Sequence, residues 1–191
     1  IMPAYDLNFD NRVFEEILAR QLIEHLGFFK AKYFLSEAYR TLVPEGLLRV
    51  ETPHIEKSFE NFLKAKNSAE REIILGWIYG GESENMTHVY CFPVELIGTL
   101  AKEAGFAIEK TEFYDYEYLR PAARYSLRKI PNEEKARKAQ LRRELLNLNF
   151  PKWGDEAALC EQEQMIQRLD FSCFKEKDVK RVYGFNPVFS R

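Results

Sequence analysis

Three histidines, His25, His54 and His88, are the side chains best suited to exchange a proton near neutral pH. His54 directly follows the apolar run Leu47 to Thr52 and Pro53, with Glu51 just before it as a second polar contact for a bound molecule. An imidazole of ordinary pKa, ~6.5, takes a proton from a hydroxyl or amine as a bond forms there. His54 and His88 are therefore the catalytic candidates. His88 and Cys91 are near enough in sequence for a Cys–His nucleophile, but that spacing has no particular warrant and a buried structural thiol is the commoner outcome. The three histidines and three cysteines (Cys91, Cys160, Cys173) are scattered and show no zinc-ligand spacing, so no structural metal is expected. Arg20, Gln21 and His25 follow another apolar run. His25 reads either as lining a site or as a structural histidine packed on that run.

These residues need elements to hold them. Phe14 to Arg20 fits a strand or a helix start by periodicity alone. Phe28, Ala31, Leu35, Ala38 and Leu42 recur at helical spacing with Lys30, Lys32, Ser36, Glu37 and Arg40 between them, which predicts an amphipathic helix stopped by Pro44-Glu45-Gly46. Leu47 to Thr52 reads as a strand. Ile55 to Ala65 and Ala69 to Tyr79 read as helices, the second capped by Asn67 or Ser68. A loop runs from Gly80-Gly81 to Met86. Pro93 opens a helix with Val94, Ile97, Ala101 and Ala104 on one face, and Gly105 closes it. Phe106 to Tyr114 predicts a strand and Ala123 to Ile130 a weaker one. The alternation predicts an α/β sheet with crossover helices, short enough to leave an exposed parallel edge. After Pro131 the character changes. Asn132 caps a charged helix through about Leu148, Pro151-Lys152-Trp153-Gly154 is a break, and Asp155 caps a second helix through about Leu169. The tail beyond carries Phe171, Phe174, Tyr183, Phe185 and Phe189. The expected organisation is an α/β domain over 1–130 and a helical extension over 131–191.

The 191 residues hold 28 basic and 30 acidic side chains, a net charge of −2, and 46% are hydrophobic. That is enough apolar content for a core, so wholesale disorder is excluded. Near-neutral charge argues against a nucleic-acid coat. No apolar run approaches the ~20 residues of a membrane span, and no signal peptide is visible. An odd, dispersed set of cysteines predicts free thiols and a cytoplasmic setting. The first residue is Ile1, so either Met2 is the start or sequence precedes it.

Several stretches, in order, resemble the second half of class I S-adenosylmethionine-dependent methyltransferases. Asp6-Leu7-Asn8-Phe9-Asp10-Asn11 is similar to the family's loop before its fourth strand, Phe14 to Ala19 to that strand, and Leu22-Ile23-Glu24-His25-Leu26 to the "Leu-Glu-His" element after it. Glu37 to Gly46 is similar to "Glu-x-x-Arg-x-Leu-Lys-Pro-Gly-Gly", Leu47 to Pro53 to the fifth strand, and Phe92 to Phe106, ending Ala104-Gly105-Phe106, to the helix before the sixth. The resemblance covers about 110 residues and is nearest to the type 11 methyltransferases. Trp77-Ile78-Tyr79-Gly80-Gly81 with His88 is reminiscent of a branch associated with glycan synthesis.

The resemblance implies a partial Rossmann-like sheet, S-adenosylmethionine as cofactor, and a small-molecule or glycan acceptor. It implies Asp6 and Leu7 as one wall of an adenine pocket, although an ordinary loop Asp reads as well. It also implies Gln21 and His25 at the cofactor edge. The departures bear on activity. The Gly-x-Gly-x-Gly turn and the acid of the second strand have no counterpart among these residues, and Glu45 stands for the first glycine of Pro-Gly-Gly. Two functions follow as expectations: methyl transfer with the donor half supplied from elsewhere, or a methyltransferase-like interaction module without catalysis. Lys135, Arg137, Lys138, Arg142 and Arg143 make the extension basic, but Glu133, Glu134 and Glu144 interleave, so a solvated face is expected rather than a nucleic-acid surface. Pairing with a second copy would cover the open sheet edge.

Overall fold

Four strands form one mixed sheet in the order β1-β2-β4-β3, where β1 is Phe14–Arg20, β2 Leu42–Pro53, β3 Phe106–Glu117 and β4 Arg120–Lys129. The structure, a computed structural model, describes residues 4–81, 86–149 and 156–168. The Pro151–Gly154 break, the Asp155 cap, Cys173 and the tail aromatics lie outside the described residues. β1 and β2 are parallel, while β4 is antiparallel to both its neighbours. β4 thus inserts between β2 and β3 instead of extending the sheet at its end.

The connections are helical: α1 (Phe28–Thr41) after β1, then α2 (Ile55–Lys64), α3 (Ser68–Tyr79) and α4 (Val94–Ala104) after β2. Local chemistry sets their ends. Asn67 Oδ1 accepts from the Glu70 N–H at 3.0 Å and starts α3. Gly105 closes α4 at φ +103°, where a β-carbon would lie 2.6 Å from the Tyr39 ring. α5 (Glu133–Asn149) begins at the Asn132 cap, whose Oδ1 accepts from the Lys135 N–H at 3.0 Å.

The sheet has one apolar and one charged face, as period-2 alternation allows. Ala19, Leu48, Val50, Tyr125 and Leu127 turn to the core with Leu35, Ala38, Ile97 and Leu100 of α1 and α4. The alternate positions carry ion pairs across the strands: Glu16 with Arg49, Arg20 with Glu51, Glu51 with Arg124, and Glu109 with Arg128.

Two sequence expectations change. The amphipathic helix holds its register, but Ser36, Glu37 and Arg40 are buried rather than solvated, because α5 and α6 (Glu156–Gln167) cover that side of α1. Ala139 joins the main core, Leu159 packs on Tyr33, and Arg142 of α5 pairs with Glu163 of α6 at 2.8 Å. The second change concerns Pro44-Glu45-Gly46. The helix has already ended at Thr41, and Leu42 pairs with Phe14 before the chain loops out and re-enters the ladder at Leu47 opposite Glu16. Glu45 takes φ +61° in that excursion.

Buried polar groups brace the end of the molecule where β1 begins. The Glu37 carboxylate accepts from Arg40 Nε and Nη2, each at 2.8 Å, and from the Leu7 N–H at 2.9 Å. Arg40 also donates to the Phe9 carbonyl at 2.7 Å and to Asn11 Oδ1 at 2.8 Å. Arg143 reaches in from α5 to Glu37 and to the Leu7 carbonyl. Four of the basic residues of α5 are thus committed to carboxylates, Arg142 to Glu163, Arg143 to Glu37, and Arg137 and Lys138 to Glu133 and Glu134 one turn earlier.

Candidate functional site

The carboxyl ends of parallel strands are where open α/β sheets present ligand-binding groups. Here β1 ends at Arg20, and Gln21 follows at φ +47°, its N–H bonded to the Glu51 carbonyl at 2.8 Å. That turn leaves both polar atoms of the Gln21 amide buried without a partner. A 3-10 turn, Ile23–His25, comes next and buries Glu24, 1% exposed, with Oε2 accepting from the Thr52 hydroxyl at 3.1 Å. Glu24 Oε1 has no partner. Burial pushes the Glu24 carboxyl up to about 7, against the opposing hydrogen bonds from its own backbone and Thr52.

The segment after α3 folds back onto this turn. Gly80, at φ +76°, bridges to Thr87, and the Val89 and Tyr90 N–H groups donate to the Glu24 carbonyl at 2.8 and 3.1 Å. His88 is thereby laid edge-on to His25, with ring centroids 4.7 Å apart. His25 Nδ1 meets the Thr87 carbonyl at 3.0 Å and His88 Nδ1 meets the Ile78 carbonyl at 3.2 Å. A carbonyl only accepts, so both Nδ1 atoms carry hydrogen and both neutral rings keep a lone pair on Nε2. Burial and the charge of His25 hold the His88 pKa below its usual value. One carboxylate oxygen of Glu24 and one ring nitrogen from each histidine lie within 4.8 Å of one another.

His54 is differently employed. Its Nδ1 accepts from the Lys57 N–H at 3.3 Å and caps α2, and it also lies 3.2 Å from Glu56 Oε2, to which a hydrogen on Nδ1 would donate. The ring tilts against Phe113 at 4.5 Å. The Pro121 carbonyl accepts from the His54 N–H at 2.9 Å and from Trp77 Nε1 at 2.8 Å, tying the two together. Trp77 stacks on Tyr116, centroids 5.4 Å apart, and lies 6.4 Å from His88. Glu51 is clamped by Arg124 at 2.8 Å. Its burial would raise the carboxyl, but hydrogen bonds from Tyr114 and Arg124 outweigh that and hold it below the usual range.

Gln21 stands at the end of β1, and His25 and His88 come together beyond it with Glu24, which the spacing did not single out. Its signal was a lone acid inside Leu22-Ile23-Glu24-His25-Leu26, where the neighbours force burial. Asp6 and Leu7 sit elsewhere. Leu7 is bonded to Glu37, Arg40 and Arg143, and β1 separates it from Gln21 by seven residues, roughly 20 Å. Burial and Glu37 raise the Asp6 pKa, with Arg143 and Arg40 opposing. Cys91 donates to the Ile78 carbonyl at 3.6 Å, the same oxygen His88 uses, and burial raises its thiol pKa, so it is not an activated thiolate.

No protein-family model matches this sequence, and no curated protein matches it. Solved structures do. A S-adenosylmethionine-dependent methyltransferase from Methanosarcina mazei is 15% identical with a TM-score of 0.48, over 68% of this chain and 65% of that one. The 1,6-didemethyltoxoflavin-N1-methyltransferase of Burkholderia thailandensis, solved with 1,6-didemethyltoxoflavin and S-adenosylhomocysteine bound, is 12% identical with a TM-score of 0.48, over 68% of this chain and 49% of that one. The matched region thus spans less than two thirds of either chain.

Proposed function

We propose that the chain carries the acceptor side, and a donor contact at Gln21, of a methyl-transfer site that uses S-adenosylmethionine. The observation that carries the reading is the cluster of Glu24, His25 and His88 just beyond the carboxyl end of β1, with the buried amide of Gln21 at that strand's end. The order of motifs from Asp6 to Phe113 supports it independently. When bound, S-adenosylmethionine supplies a methyl group on a sulfonium, already activated toward a nucleophile. The unpartnered amide of Gln21 fits such a molecule, offering a donor and an acceptor to its polar groups. The contacts of the family's glycine turn are assigned to no residue of this sequence. His88, with a lone pair on Nε2, takes the proton from an acceptor hydroxyl or amine. His54 presents Nε2 to the acceptor and orients it; alignment contributes more to methyl transfer than a base does. The acceptor is a small molecule or glycan: Tyr116, exposed and backed by Trp77, which lies 6.4 Å from His88, gives a flat face on which a sugar ring can rest.

Calorimetric titration of the 191-residue chain with S-adenosylhomocysteine tests this. The expected result is saturable binding, weakened at least about tenfold by Gln21→Ala and unchanged by Lys110→Ala on exposed β3. No saturable heat with donor or product overturns donor binding by this chain. A second reading, a non-catalytic interaction module, then gains. It is favoured by the outer edge of β1, which has no partner strand among the described residues and leaves Leu18 56% and Val13 48% exposed.

A further inference from the structure

Glu24, His25 and His88 meet requirements that no hydrogen-bonding role accounts for. Their ligand atoms lie within 4.8 Å of one another. Each imidazole is fixed through Nδ1–H by a backbone carbonyl, Thr87 for His25 and Ile78 for His88, which is how metal-binding histidines are held. That leaves both Nε2 lone pairs committed to nothing named in the structure. The carboxylate is oriented by the Thr52 hydroxyl on Oε2, while Oε1 is buried and unpartnered on a residue only 1% exposed. A buried carboxylate oxygen left without a partner is destabilising unless a cation or donor reaches it. Among the described residues none supplies one, and Arg124 and Arg20 are engaged with Glu51.

We propose that Glu24, His25 and His88 form a binding site for one divalent transition-metal ion of the zinc class. Two imidazoles and one carboxylate suit zinc, cobalt and iron(II), and are too nitrogen-rich for magnesium or calcium. In a tetrahedral site the metal–ligand distances of about 2.0–2.1 Å put ligand atoms roughly 3.3 Å apart. The set therefore closes by at most about 1.5 Å when the ion enters, a rotamer-scale adjustment. Three protein ligands leave a position for water or for an oxygen of a bound molecule, as in catalytic rather than structural zinc sites. The site stands on these residues alone and does not rest on the methyl-transfer reading; an ion bound at His88 Nε2 takes the lone pair that reading uses as a base, so the two roles of His88 exclude each other.

The test is a titration of the chelator-stripped, tag-free chain with Co²⁺, followed by visible d–d absorption, and with Zn²⁺ by calorimetry. One equivalent should bind each ion, with an intense tetrahedral Co²⁺ band that stoichiometric Zn²⁺ displaces. His88→Ala, His25→Ala and Glu24→Gln should each weaken Co²⁺ binding about 100-fold or more. Glu24→Gln retains an acceptor for Thr52, so it distinguishes lost ligation from lost folding, and circular dichroism checks the fold of each variant. His54→Asn, which keeps a capping side chain for α2, should leave binding intact. Absence of a saturable band, or a band that persists in folded His88→Ala, overturns the proposal.

Discussion

Arg40→Met tests the bracing of β1 most directly. Arg40 and Glu37 side chains are each 3% exposed. Removing the guanidinium deletes its bonds to Glu37 and to Leu7, Phe9 and Asn11, and leaves the Glu37 carboxylate in the interior with only the Leu7 N–H and Arg143 at 3.1 Å. Breaking a buried pair from one side costs about 3–5 kcal/mol. Arg143 supplies a partial replacement charge, so the lower end applies, about 3 kcal/mol, or roughly 6–12 °C in Tm for a domain of this size. Glu37→Leu should cost a similar amount for the converse reason. The double variant Glu37→Leu/Arg40→Met should lose about 3–4 kcal/mol rather than the sum, because each change removes the other's stranded charge. Urea denaturation followed by far-ultraviolet circular dichroism gives all four corners of the cycle. Losses that add within about 0.5 kcal/mol would refute the reasoning, since the two groups would then not be acting as a pair.

Lys129 is 5% exposed, donates to the Leu42 carbonyl at 2.6 Å and lies over the Tyr39 ring, and burial with Arg12 nearby pushes its pKa down to about 8 from 10.5. The unfolded chain then binds more protons between those values, so the stability of wild type relative to Lys129→Met should rise with pH across that window by up to about 3 kcal/mol; a difference flat with pH in urea melts refutes it. Gly80→Ala places a β-carbon 2.1 Å from the Met86 carbonyl and 2.8 Å from His88 at a φ of +76°, so it should cost about 2 kcal/mol or more and shift the His88 ring resonances in NMR spectra. Unmoved His88 signals would contradict that. Arg142→Met removes the bidentate hold on Glu163, 2.8 and 2.9 Å, and should raise amide exchange across α6 at least tenfold while β2 and β4 stay protected; uniform protection of α6 would count against it.

The sequence makes some of this fold legible and conceals the rest for identifiable reasons. Caps act locally, so Asn67, Asn132 and Gly105 mark their helix ends directly. β4 reads weakly because Arg124 and Arg128 alternate onto the charged face and small Ala122 and Ala123 carry little strand signal, yet it is one of the sheet's two central strands. Its insertion between β2 and β3 is a non-local pairing with no local trace. The burial of Glu37 and Arg40 is set by α5, some hundred residues later. At the candidate site, His25 and His88 are each visible as chemistry-bearing residues. Their pairing depends on Gly80 and the carbonyl of Glu24, which spacing rules do not encode.

Trp77 gives the molecule an optical property. One of two tryptophans in the chain, it is held by the Pro121 carbonyl against Tyr116 and 6.4 Å from His88. Its indole is 8% exposed, so its emission should lie to the blue of a solvated tryptophan. Protonation of the neighbouring imidazole, or a paramagnetic ion beside it, would quench that emission through close-range electron or energy transfer. With Trp153→Phe removing the other fluorophore, the intensity of a single native indole becomes a label-free reading of the state of the His88 ring beside it.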